Sequence, residues 1–229
     1  MYEIMHSDNR LFQILSRLGD LIALNLLFVV TCVPLVTVGA ALSAMYSVLF
    51  QMLREEETRV LRTYWKAFKQ NFKPSLPLWL PMAAIAVLLV VNNILLQNMS
   101  GNLVGFFSIV VMIALVLYLC VFSYLFPMLA LFENTTKDYF KKSLFFSISH
   151  FPATLAICLI QILPIILLEA VPNSVIPVIT LMLAVGFSSQ ASASTFFLHR
   201  VFRPYLPEKG AEPVDEWEQR VLDGRGGIE

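Results

Sequence analysis

The sequence predicts an all-α polytopic transmembrane bundle, and three observations carry that prediction. Of 229 residues, 58% are hydrophobic and only 14% are charged, with a mean hydropathy of +0.73. A soluble domain averages about 45–50% apolar and about 25% charged residues. The charges are also segregated: no Asp, Glu, Lys or Arg occurs between Asp20 and Arg54, between Lys73 and Glu133, or between Glu169 and Arg200. These features exclude a soluble enzyme, a disordered chain and a disulfide scaffold.

A crossing helix needs about 20 apolar residues, because the hydrocarbon core is about 30 Å thick and each residue rises 1.5 Å. The Lys73–Glu133 stretch therefore holds two spans, near Leu76–Leu96 and Leu103–Phe126, turning at the polar run Gln97–Asn102. Two more lie near Phe151–Leu168 and Val175–Phe197. The first stretch is too long for one straight crossing. Pro34 and Gly39 interrupt it, and proline disfavours helix at the residue before it. This predicts one helix from about Asp8 to Val33 and a second from about Thr37 to Glu56. The reading is six helices in three hairpins, with five spans as the alternative.

Loop charge favours six. The N-terminal segment holds two Lys or Arg residues, Arg54–Lys73 holds six, Glu133–Ser149 three and the tail five, which accounts for all 16. By the positive-inside rule, six helices place every basic residue and both termini in the cytoplasm, whereas five put Arg10 and Arg17 outside. Residues 1–206 then form the transmembrane domain, and the charged segment 207–229 is a cytoplasmic tail. A plasma-membrane location fits this pattern.

Two basic-aromatic segments form cytoplasmic elbows. In Arg54–Lys73, Leu61, Tyr64, Trp65, Phe68 and Phe72 share one helical face, opposite Arg59, Arg62, Lys66, Lys69 and Lys73. Such amphipathic helices lie in the interface, drawn to anionic lipid by about 1 kcal/mol per basic residue. Lys137–Phe151 repeats the device, with Tyr139-Phe140-Lys141 echoing Tyr64-Trp65-Lys66. Both elbows serve as interfacial anchors or as docking sites for a partner. Glu55–Glu57 and the adjoining bilayer leave no broad basic surface for nucleic acid.

Within the spans the polar groups are neutral, notably Asn25, Asn92, Gln161 and Gln190. They either hydrogen-bond between helices or line the path of a small neutral solute. No paired carboxylates, HExxH or P-loop pattern occurs, and Cys32, Cys120 and Cys158 lie far apart in apolar stretches. The expectation is therefore a non-enzymatic protein without cofactor or metal.

Leu18-Gly-Asp20-Leu-Ile, Asn25-Leu-Leu-Phe, Cys32-Val-Pro34-Leu-Val-Thr37-Val-Gly39-Ala-Ala, Ala44-Met-Tyr46 and Tyr64-Trp-Lys-Ala-Phe68-Lys-Gln-Asn-Phe72-Lys resemble the YesL-like membrane proteins of Gram-positive bacteria. The resemblance extends over roughly residues 8–205, and its specific part is Leu18–Phe72. That family is a domain of unknown function, so no catalytic or binding residue is carried over. The resemblance implies a plasma-membrane protein whose genes neighbour carbohydrate ABC-transport genes, hence an accessory or regulatory partner of such transporters. A homo-oligomer and a small neutral-solute permease are the other readings.

Overall fold

The computed structural model describes residues 2–54, 59–98, 104–170 and 175–205. The 207–229 tail and the tip of the Gln97–Asn102 turn lie outside them. The helices are α1 (Tyr2–Cys32), α2 (Val38–Leu53), α3 (Val60–Gln97), α4 (Val104–Leu131), α5 (Thr136–Ser149), α6 (Phe151–Ala170), α7 (Val175–Leu181) and α8 (Phe187–Phe202). A single π turn, Met182–Gly186, joins α7 to α8. Among the described residues, six helical segments are long and apolar enough to cross a bilayer, so the chain is a multi-pass membrane protein.

The core sits around α2. Its small residues Gly39, Ala40, Ala41, Ser43, Ala44 and Ser47 are buried, as are Tyr46, Leu49 and Phe50 beside them. Small side chains let helix backbones approach, which matters in a membrane because lipid tails solvate apolar surface as well as another helix does. At Gly39 the approach is extreme: an added Cβ would lie 2.7 Å from Trp79 Cβ and 3.1 Å from a Phe126 ring carbon. Away from α2 the exposed side chains are apolar, for example Val87 and Leu88 on α3, Phe106 and Met112 on α4, and Leu159 on α6. These form a belt suited to hydrocarbon.

Contacts fix the sense of α2, α4 and α8. Along α4, Ser123 meets Gln161, then Phe126 meets Trp79, and just past its end Phe132 meets Phe202. Along α8, Gln190 meets Ile160 and Phe202 packs on Phe50. Both helices therefore run toward the end that carries Phe202 and Arg203. Asn25 of α1 is held at Ser188, about 20 Å before Phe202 at 1.5 Å per residue. Beyond it, Thr31 bonds Tyr64 at 2.5 Å, and the Leu35 carbonyl accepts the Trp79 indole N–H at 2.7 Å, level with Phe126. Gly39 lies against Trp79 and Phe50 against Phe202, so α2 runs toward the same end as α4 and α8.

The expected break at Pro34 is present as a short 3-10 turn, Leu35–Thr37, whose Thr37 hydroxyl donates to the Pro34 carbonyl at 2.6 Å and to the Thr31 carbonyl. It separates two of the six helical segments that can each cross a bilayer among the described residues, as the sequence predicts.

The first elbow differs from expectation. It is no separate helix but the first turns of α3, which continues through Pro74, Pro77 and Pro81 for 38 residues, roughly 57 Å. Each proline removes a donor from the ladder, yet membrane helices tolerate this when neighbouring groups compensate. Within this stretch the Ser75 hydroxyl also donates back to the Phe72 carbonyl at 2.9 Å. The second elbow is a distinct helix, α5, set off from α6 at His150.

Asn25 is the pin for α1. A π turn widens the backbone ladder and leaves groups for a side chain to take. The Asn25 amide donates to the carbonyls of Met182 at 3.1 Å and Leu183 at 2.7 Å, and its oxygen accepts the Ser188 N–H at 3.0 Å. Asn25→Leu is expected to lower the unfolding free energy in bicelles by about 1–2 kcal/mol. In a chain lacking its native cysteines, Arg10→Cys and Arg203→Cys are expected to react with an impermeant maleimide from the same side of the membrane; labelling from opposite sides would refute the six-crossing arrangement.

Candidate functional site

The four intramembrane polar residues do not converge. Asn25 is consumed at the π turn. Asn92 donates to the Leu88 carbonyl of its own helix at 2.8 Å. Gln161 accepts from Ser123 at 3.2 Å, and Gln190 donates to the Ile160 carbonyl. Three of the four thus stitch helix to helix, and none lines the cavities described next, so a solute path built from these residues has no support.

The polar groups that do gather lie at the basic end, around a cavity of about 900 Å³. The end of α2 supplies Gln51 and Arg54, the first turns of α3 supply Thr63, Lys66, Gln70 and Asn71, and the α4–α5 link supplies Glu133 and Asn134. Phe50, Leu129, Leu131 and Phe132 form its apolar lining. The cavity lies between the last turns of α2, the first turns of α3 and the α4–α5 link, which lines it from the other side. A smaller cavity of about 350 Å³ shares Phe132, Glu133 and Asn134 and adds Lys142, Phe146 and Tyr205.

Tyr139 braces this link. Its hydroxyl donates to the Phe132 carbonyl at 2.5 Å and accepts the Asn134 N–H at 3.2 Å, while Lys142 donates to the Asn134 side chain. Burial pushes the Tyr139 phenol above its ordinary value; the Asn134 N–H opposes this and the nearby Glu133 carboxylate adds a smaller push upward. A raised pKa keeps the proton, so the bond to Phe132 is fully present below the ordinary phenol range near 10 and is lost only as pH rises above it.

The elbow residues separate. Of those singled out in the sequence, Lys66 and Tyr139 line the larger cavity. Tyr64 is completely buried, stacked 6.3 Å from Phe68 and bonded to Thr31 beneath the end of α1, so it is a core residue and not an interfacial anchor. Phe68, Phe72 and Phe140 are half-buried. Arg59, Arg62, Lys69 and Lys141 are exposed, as is Trp65 at 42%. Sequence reasoning missed Gln51, Gln70, Asn71, Glu133 and Asn134. The available signal was that each flanks a hydrophobic stretch, at the depth where a polar side chain reaches water.

Comparison with known families supplies one match: the model described as "Protein of unknown function, DUF624", the family to which YesL-like proteins belong, matches residues 21–93. That region runs from the middle of α1 through α2 into the outer half of α3, and so includes one wall of the cavity. No curated protein and no solved structure matches the chain.

Tyr139→Phe would leave the Phe132 carbonyl and Asn134 N–H without this partner. It is expected to destabilise the protein by about 1–3 kcal/mol, read as a lower unfolding midpoint in detergent at neutral pH.

Proposed function

We propose that the protein is a non-enzymatic accessory or regulatory component of the plasma membrane, with its basic end in the cytoplasm and its working surface at the cavity there. One observation carries this reading: the polar groups within the bundle are spent on holding helices together, whereas those at the basic end surround an open, charged cavity. The excess of Lys and Arg around that end supports its cytoplasmic placement. The resemblance to YesL-like proteins supplies the setting, association with carbohydrate ABC transporters. The exposed Arg59, Arg62, Trp65 and Lys69 flank the cavity on α3 and offer a charged rim with an aromatic anchor to such a partner.

Tagged full-length protein, solubilised gently from native membranes, is expected to retain ABC-transporter components. An Arg59→Glu/Arg62→Glu/Lys69→Glu variant is expected to lose at least about tenfold of them, since reversing rim charges creates like-charge repulsion. Retention of transporter components no better than with an unrelated polytopic protein would refute the reading.

A further inference from the structure

The cavity at the basic end has the chemistry of a ligand site, and we infer that it binds a phosphate group carried on a polyhydroxylated moiety. Its volume, about 900 Å³, is far larger than one ion needs and falls within the range of about 300–1,000 Å³ found for small-molecule sites. Its lining is unlike the apolar majority of such sites. Four side-chain amides face it: Gln51, Gln70 and Asn71 each offer both donors and an acceptor, while Asn134, whose oxygen already accepts from Lys142, offers its amide donors. That pairing suits hydroxyl groups, which also donate and accept. Glu133 adds a carboxylate acceptor for further hydroxyls.

The cations supply the other half of the argument. Arg54 on α2 and Lys66 on α3 stand on two walls of the cavity, and Glu133 is its one carboxylate among the described residues. Lys66 has no ion-pair partner among the described residues, and an anionic group would supply one. Guanidinium and ammonium groups together favour phosphate oxygens, the first by its planar fork and the second as a point charge. Among the described residues, the side chains of Gln51, Thr63, Lys66, Gln70 and Asn71 have no hydrogen-bond or ion-pair partner, so the walls hold their polar groups ready for a ligand. The sugar ring or glycerol of the ligand would lie against Phe50 and Phe132.

Two sources carry this chemistry: the headgroup of phosphatidylglycerol, entering from the cytoplasmic leaflet, and a soluble sugar phosphate, entering from water. The inference extends the reading of the same cavity given above, but its test uses isolated protein. A partner that fails to co-purify would leave the ligand result standing, and the reverse also holds.

The full-length protein is placed in phosphatidylcholine nanodiscs. One arm titrates glucose 6-phosphate against glucose by calorimetry. The other measures retention of phosphatidylglycerol against phosphatidylcholine by native mass spectrometry of detergent-solubilised protein. Saturable binding of either phosphate probe is expected, at least about tenfold tighter than its phosphate-free or zwitterionic counterpart. The arm that shows it identifies the source. Lys66→Gln and Asn71→Leu are each expected to weaken that binding by about tenfold or more, while the exposed Lys141→Gln, outside the cavity, leaves it unchanged. Unaltered unfolding midpoints for the variants show that the fold is kept. Saturation by neither probe, or equal binding by wild type, Lys66→Gln and Asn71→Leu, would overturn the inference.

Discussion

A dry interior tolerates polar groups only when they are paired, and the bond between Asn25 and the π turn is where this constraint shapes the molecule. An unpaired amide buried among helices costs several kcal/mol, and so do backbone groups released by a widened turn. Here each satisfies the other, through three hydrogen bonds spanning some 160 residues of sequence. The pairing sets the depth of α1 against α8. Further along α1, Thr31 bonds the buried Tyr64 and so ties the same helix to α3.

Helix α2 occupies the centre of the core, where α3, α4 and α8 pack around it. A helix in that position needs small residues on several faces, and α2 has them. Its last turns, Ser47 to Arg54, then form a wall of the cavity that Lys66 and Asn134 face from the neighbouring elements. One helix thus serves both the core packing and the candidate site. Tyr139 keeps the opposite wall in place by holding the link that follows α4.

Much of this was legible from sequence. Hydrophobic stretches located every long helix, and Pro34 marked a true break. The aromatic face of Arg54–Lys73 was read as one surface, yet Tyr64 turns into the core while Trp65 stays exposed. Helical spacing groups side chains by angle; it does not say whether the neighbouring volume is lipid, water or another helix.

The cavity shows the same division. Gln51, Gln70-Asn71 and Glu133-Asn134 belong to three segments, each an unremarked pair or single residue at the end of an apolar run. Nothing local links them, since their proximity depends on how α2, α3 and the α4–α5 link held by Tyr139 come together. By itself the sequence determined the solvent, the helices and the concentration of charge, because transfer free energy and periodicity act on each segment alone. Tertiary structure decided the docking of α1 on the π turn, the fate of each aromatic and the existence of the cavity, because those depend on which buried groups find partners across the bundle.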